Sequence, residues 1–324
     1  MALPAQFENR LSIPLIGSPL FIISNPRLVI EQCKAGIIGS FPALNARPAE
    51  LLDSWLEQIT SELEQYRRDN PDKPVAPYAV NQIVHRSNER LQHDIDLCVK
   101  HKVPVVITSL MAPTQVVGPV HSYGGLVFHD VTNVHHAKKA IAAGVDGLIL
   151  VCAGAGGHAG SLSPFALVSE IREFYDGTII LSGAMSSGRD VLAAEAMGAD
   201  MGYMGTRFIA TREAQADERY KQMLVDSSAE DIIYSNLFTG VHGNYLKPSI
   251  KAAGLDPDNL QDGDKSTMDW SNSDSKAWKD VWGSGQGIGS IKDVPATADL
   301  VANMVNQYQE AKQKINSKPF PLAS

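Results

Sequence analysis

The chain has 324 residues, 44% of them hydrophobic, and a formal net charge of -8. That length supports one large core, or a barrel with an appended subdomain. The acidic balance and the lack of a Lys/Arg-rich run argue against a nucleic-acid-binding surface. The three cysteines, Cys33, Cys98 and Cys152, are far apart and odd in number. They form neither a disulfide framework nor a metal-ligand pattern, which fits a cytoplasmic protein. The first ten residues lack an apolar h-region, so no signal peptide is expected. No apolar run reaches the roughly 20 residues of a membrane span, so no membrane partner is expected.

Short apolar runs at 14–20, 37–40, 75–80, 104–109, 126–130, 147–151, 178–182 and 201–205 read as strands. Helical patterns lie between them. Residues 49–68 place Leu52, Trp55, Leu56, Ile59 and Leu63 close to a 3.6-residue period, and 89–101 follows the candidate cap pair Ser87-Asn88. Helices at 134–143 and 189–197 end at Gly144 and Gly198, each suited to a C′ position. Ala142-Ala143-Gly144-Val145-Asp146-Gly147 and Ala196-Met197-Gly198-Ala199-Asp200-Met201 repeat one helix-to-strand return. Eight strand–helix units predict a (β/α)₈ barrel over 1–212, with an open doubly wound sheet as the competitor. Residues 213–281 read as a small, mostly helical lid, with helix expected at 213–227 continuing through 230–238, and a short helix at 247–254. The stretch 256–280 is polar and rich in turn residues. Residues 282–324 are expected to return to the barrel through a loop and a helix at 297–315.

In such a barrel the loops after the strands build the active site. Gly154-Ala155-Gly156-Gly157-His158-Ala159-Gly160 follows the sixth predicted strand. Its glycines let a flat ligand approach the backbone, and histidine handles protons near neutral pH. A turn histidine bonded to backbone is the plain alternative, but flanking glycines at a strand end favour a general base or an anion donor. Ser182-Gly183-Ala184 and Gly205-Thr206 follow the seventh and eighth predicted strands, where barrels commonly bind phosphate. Both are expected to lead into helix N-termini. His242 in the lid is a second candidate beside substrate; His121 and His129 read as structural. Gly283-Ser284-Gly285-Gln286-Gly287-Ile288-Gly289 is either a hinge or a ligand-touching return. The glycine spacing departs from a dinucleotide fingerprint, the P-loop lysine is missing, and neither zinc-like spacing nor a serine-nucleophile elbow occurs.

Gly17-Ser18-Pro19-Leu20, Asn81-Gln82, Gly156-Gly157-His158-Ala159-Gly160, Ser182-Gly183-Ala184, Met204-Gly205-Thr206-Arg207-Phe208 and Gly285-Gln286 together resemble the nitronate monooxygenase (2-nitropropane dioxygenase) family. The resemblance implies a TIM barrel with a lid and non-covalent FMN. It implies phosphate contacts from Ser182, Gly183, Ala184, Gly205 and Thr206, and ring or ribityl contacts from Ser18, Pro19, Leu20, Asn81, Gly157, Gly160, Gly285 and Gln286. His158 would be the active-site base, with Phe21 and His242 near substrate. The implied partners are a nitronate or nitroalkane and O₂; a homodimer is compatible with the sequence. An NAD(P)H-dependent flavin reductase acting on quinones or enoyl thioesters is the alternative, and a flavin-free phosphate-binding module or lyase a second. Three departures mark a divergent subgroup: Asp130 where relatives carry a basic residue, Ala184 where they carry glycine, and no Glu before the Gly-Gly-His loop.

Overall fold

The computed structural model describes residues 3–263 and 281–318. The polar stretch 264–280 and the tail 319–324 therefore lie outside the described residues. Eight parallel strands form one sheet: β1 (Leu15–Gly17), β2 (Gly39–Pro42), β3 (Tyr78–Val84), β4 (Val105–Leu110), β5 (Leu126–Val131), β6 (Gly147–Val151), β8 (Thr178–Ser182) and β9 (Met201–Met204). A two-residue strand, β7 (Gly157–His158), falls between β6 and β8 in sequence but belongs elsewhere. The order β1-β9-β8-β6-β5-β4-β3-β2 closes through the parallel bridge Ile16–Ile38. Gly17 N donates to Ile38 O at 2.8 Å and Ile38 N to Leu15 O at 3.0 Å across that seam. The fold is the expected (β/α)₈ barrel, and closure excludes the open sheet.

Among the described residues the helices are α1 (Pro26–Lys34), α2 (Leu51–Asp69), α3 (Leu91–Lys100), α4 (Thr114–His121), α5 (Val134–Ala142), α6 (Pro164–Arg172), α7 (Gly188–Ala196), the one-turn α8 (Thr206–Ile209), α9 (Glu218–Asp226), α10 (Lys247–Ala252) and α11 (Thr297–Asn316). The repeated return has a clear physical basis. Gly144 and Gly198 sit at φ +88° and +105°, where a side chain would be strained. The aspartate that follows then ties the strand in: Asp146 Oδ2 accepts from Val127 N at 2.7 Å, and Asp200 Oδ2 from Ile179 N at 2.8 Å. Helix α11 lies against α7 so closely that a Cβ on Gly188 would fall 1.8 Å from Met304 O.

Strand alternation decides what fills the barrel and what lines its mouth. Ala79, Ile107, Phe128, Ile149, Ile180 and Met201 point inward and pack together, plugged from below by Phe7 on the Phe128 ring. Two residues further along the same strands come Asn81, Ser109, Asp130, Val151, Ser182 and Tyr203. These form the next layer up, at the C-terminal face.

The expected helix at 230–238 is not formed. Ser228 caps a short 3₁₀ turn, after which Ile232–Ser235 is strand β10, paired antiparallel with β11 (Gly243–Leu246). Its β-branched and aromatic run Ile232-Ile233-Tyr234 suits a strand, and the partner was too far along the chain to be inferred locally. β11 also pairs with β7, Gly243 opposite His158.

Candidate active site

The top layer of the barrel is the floor of a cavity of about 210 Å³. Asn81, Ser109, Asp130, Val151, Ser182 and Tyr203 all line it. Its rim comes from the expected loops: Ser18 and Pro19 after β1, Gly183 and Ala184 after β8, Gly205 and Thr206 after β9, and Gly285 from the C-terminal return. A second cavity of about 480 Å³ adjoins it, lined by Ile83, Leu110, Thr132, Val241 and His242. A third, about 210 Å³, is lined by Pro19, Phe21, Asn81 and Gly157. His158 borders all three.

His158 is held by the small sheet. Thr239 Oγ1 lies 2.8 Å from its Nε2, and Thr239 donates its own proton to Val241 O at 3.0 Å. The hydroxyl has one proton, so it accepts from His158 and Nε2 carries the hydrogen. Nδ1 then carries the lone pair. The imidazole is half-buried, and burial pushes its pKa down to about 4. It is therefore neutral at pH 7. Around it, Asn244 Nδ2 donates to Ala155 O at 2.6 Å and Tyr234 OH to Ala159 O at 3.0 Å, so the lid segment clamps the glycine-rich loop on both sides of the histidine. Tyr234 also stacks on His242, with ring centroids 5.0 Å apart.

Most expected site residues converge here, but three, Leu20, Gly160 and Gln286, do not line the three cavities. Leu20 packs into the core, its Cδ2 3.3 Å from where a Cβ on Gly205 would sit. Gly160 donates to Val151 O at 3.2 Å in a tight turn, where a Cβ would fall 2.5 Å from that oxygen. Gln286 donates its N–H to Gly154 O at 2.9 Å, holding the C-terminal return against the histidine loop. Both rim loops lead into helices as expected, α7 and α8. Asp190 Oδ2 takes the backbone N–H groups of Ser186 and Ser187 at 2.9 and 2.8 Å, closing the start of α7 with a carboxylate. After β9 only the one-turn α8 follows. Anion donors at this rim are accordingly loop backbone and hydroxyls. Thr206 Oγ1 accepts from Gly285 N at 2.9 Å and keeps its own proton for a ligand. Ser186 Oγ lines the same cavity, buried and without a hydrogen-bond partner among the described residues.

A nitronate monooxygenase model matches residues 41–307. The chain belongs to the nitronate monooxygenase family. Its members are flavin-dependent oxidoreductases, and this chain is an enzyme of that type. A nitronate monooxygenase from Neurospora crassa is 24% identical over 94% of this chain and 91% of its own length. A (3aS,4S,5R,7aS)-5-hydroxy-7a-methyl-1-oxo-octahydro-1H-indene-4-carboxyl-CoA dehydrogenase from Rhodococcus jostii is 25% identical over 73% of this chain, which spans only 63% of that protein. Among solved structures, a nitroalkane oxidase from Streptomyces ansochromogenes superposes with a TM-score of 0.77 over 96% of this chain and all of that one, at 18% identity. No described helix is long and apolar enough to cross a membrane.

Two departures from the nitronate monooxygenase pattern acquire physical content. Ala184 adopts φ +55°, the left-handed region that glycine occupies without strain. Asp130 stands in the cavity floor, where burial raises its pKa to about 7 against a hydrogen bond from Ser109 that lowers it. Strand parity would have found Asp130, Ser109 and Tyr203, because each lies two residues beyond a barrel-filling side chain. His129, one residue earlier, points the other way, bonds Thr108 Oγ1 at 2.8 Å and is buried, as a structural histidine should be.

Proposed function

We propose that this enzyme is an FMN-dependent nitronate monooxygenase, oxidising alkyl nitronates and nitroalkanes with O₂ to carbonyl compounds and nitrite. The observation that carries this reading is a His158 oriented by Thr239 where three cavities meet. FMN suits the residues present. The Ser186 hydroxyl, unpartnered among the described residues, the Thr206 proton and the Gly183 and Gly205 backbone would form a donor rim for a phosphate, and the flat ring system would lie over Ser18, Pro19 and Asn81 toward Gly157. When bound, the flavin supplies electron acceptance from substrate and the reaction with O₂.

The chain's own groups do the rest. Neutral His158 accepts the α-proton of a nitroalkane on Nδ1, while Thr239 holds Nε2–H and fixes the ring. Burial favours this base role over a cationic, anion-binding one. A preformed nitronate needs no proton removed and uses His158 only for position. Phe21 and His242 border the cavities on either side and would shape the substrate's surroundings. Residues 213–281 act as the lid, joined to the site through β11 and Thr239. Three buried free thiols suit the reducing cytoplasm.

The second reading, an NAD(P)H-dependent flavin reductase on quinones or enoyl thioesters, draws support from the apolar walls of the second cavity, Ile83, Leu110, Val151 and Val241, and from the CoA-ester relative. Oxygen uptake and nitrite release on adding propyl-2-nitronate to the purified protein support the first reading. NADH-driven reduction of a quinone with no nitrite from any nitro compound would overturn it.

A further inference from the structure

Asp130 ends a hydrogen-bonded chain of side chains in the cavity floor. Asn81 Nδ2 donates to Ser109 Oγ at 2.8 Å, and Ser109 Oγ donates to Asp130 Oδ2 at 2.6 Å. With Ser109 donating to Oδ2, a proton on the carboxyl sits on the other oxygen, Oδ1. That atom is buried and has no hydrogen-bond partner among the described residues. A bare buried carboxylate oxygen is costly, whereas a protonated one is a donor in search of an acceptor.

The surroundings keep the group neutral. Neither lysine nor arginine lines the three cavities among the described residues. The titratable groups that face it are Tyr203 from β9, His158 from β7, His136 from α5 and His242 from the lid. Burial holds Tyr203 protonated and both His158 and His136 toward their neutral forms. Asp130 also borders both the first and the second cavity. The donor rim for phosphate lies on the loops after β8 and β9, with β6 between β8 and β5. Asp130 and that rim line one cavity.

We propose that Asp130 holds a proton on Oδ1 and donates it as a hydrogen bond to an acceptor atom on the ring end of the bound flavin. This rests on the FMN reading above. Asp130 is then a pH-sensitive element of cofactor binding, with Ser109 and Asn81 orienting it.

The test is the dissociation constant of FMN, read from quenching of flavin fluorescence, across the neutral range for wild type, Asp130→Asn and Ser109→Ala. The asparagine can accept from Ser109 and donate at the Oδ1 position at every pH. The ratio of wild-type to Asp130→Asn dissociation constants should be level below about pH 6 and rise by about tenfold per pH unit above about pH 7. The phosphate's own ionisation is common to both proteins and cancels in that ratio. Ser109→Ala removes a bond that favours the ionised form, so its affinity should hold to higher pH than wild type. A ratio flat with pH overturns the role of Asp130 and leaves the FMN reading standing. Failure of all three proteins to take up FMN overturns both.

Discussion

Replacing Thr239 with valine isolates the orientation of His158 from its chemistry. Valine keeps the volume and removes the one oxygen that accepts Nε2–H, now at 2.8 Å. A buried donor left without its acceptor costs about 1–3 kcal/mol. Because the imidazole is half-buried, some of that is recovered by turning toward water. Either response lowers the fraction of enzyme with Nδ1 correctly presented. Converted at about 1.4 kcal/mol per factor of ten, the loss in kcat/KM for nitroethane is about 5- to 150-fold, with about tenfold the central expectation. Turnover of preformed nitronate should change little, since no proton is removed from it. Thr239→Ser restores the acceptor and should restore the rate. The assay is steady-state oxygen uptake with each substrate, with flavin absorbance and a thermal melt as controls. Wild-type kcat/KM for nitroethane in Thr239→Val, or equal losses on nitroethane and its nitronate, would refute the positioning argument.

The remaining predictions concern the base, the phosphate rim and the buried carboxyl. His158→Asn should retain FMN and lose about 10²- to 10⁴-fold in kcat/KM for neutral nitroalkanes, measured by the same oxygen uptake. Ser186→Ala removes a hydroxyl that has no partner among the described residues, so FMN affinity should fall about tenfold or more while riboflavin affinity is unchanged, as read by fluorescence titration. Gly156→Ala places a Cβ 2.8 Å from Gly285 N and 3.0 Å from Ser284 C, both backbone, so the C-terminal return must move and the purified protein should come out depleted of flavin. Asp130 also predicts a stability signature. Its folded pKa, about 7, lies above an ordinary carboxyl's, so the folded chain holds the proton more tightly. That contribution is complete below about pH 4 and is lost as pH rises through about 7. Between about pH 5 and pH 8 the loss is at most about 3 kcal/mol, less any relief from water entry. Asp130→Asn should lose correspondingly less in urea melts over that interval; parallel curves would contradict the assignment.

The barrel was legible because eight strand-like runs alternate with helical patterns and two of the units repeat the same local chemistry. Gly144-Val145-Asp146 and Gly198-Ala199-Asp200 announce a helix end, a return and a strand, and the aspartates prove to be ties between neighbouring strands. The glycine loop and the rim residues were legible as motifs at strand ends. What escaped depends on distant partners. β10 is a strand only because β11 lies beside it, and the motif at His158 becomes a strand only against Gly243. Thr239, which sets the tautomer, is 81 residues from His158. Ser186 carries no motif of its own, and the backbone donors beside it belong to Asp190. Asp130 stands out in sequence as a departure, yet only the closed barrel shows that its Oδ1 is buried with no partner among the described residues.

The proposed activity meets its most direct test under anaerobic conditions. The FMN-loaded enzyme is mixed in turn with propyl-2-nitronate and with NADH, and the flavin absorption is followed. Rapid bleaching by the nitronate and none by NADH is the predicted result. Rapid bleaching by NADH with none by the nitronate would contradict it and make this barrel a reductase.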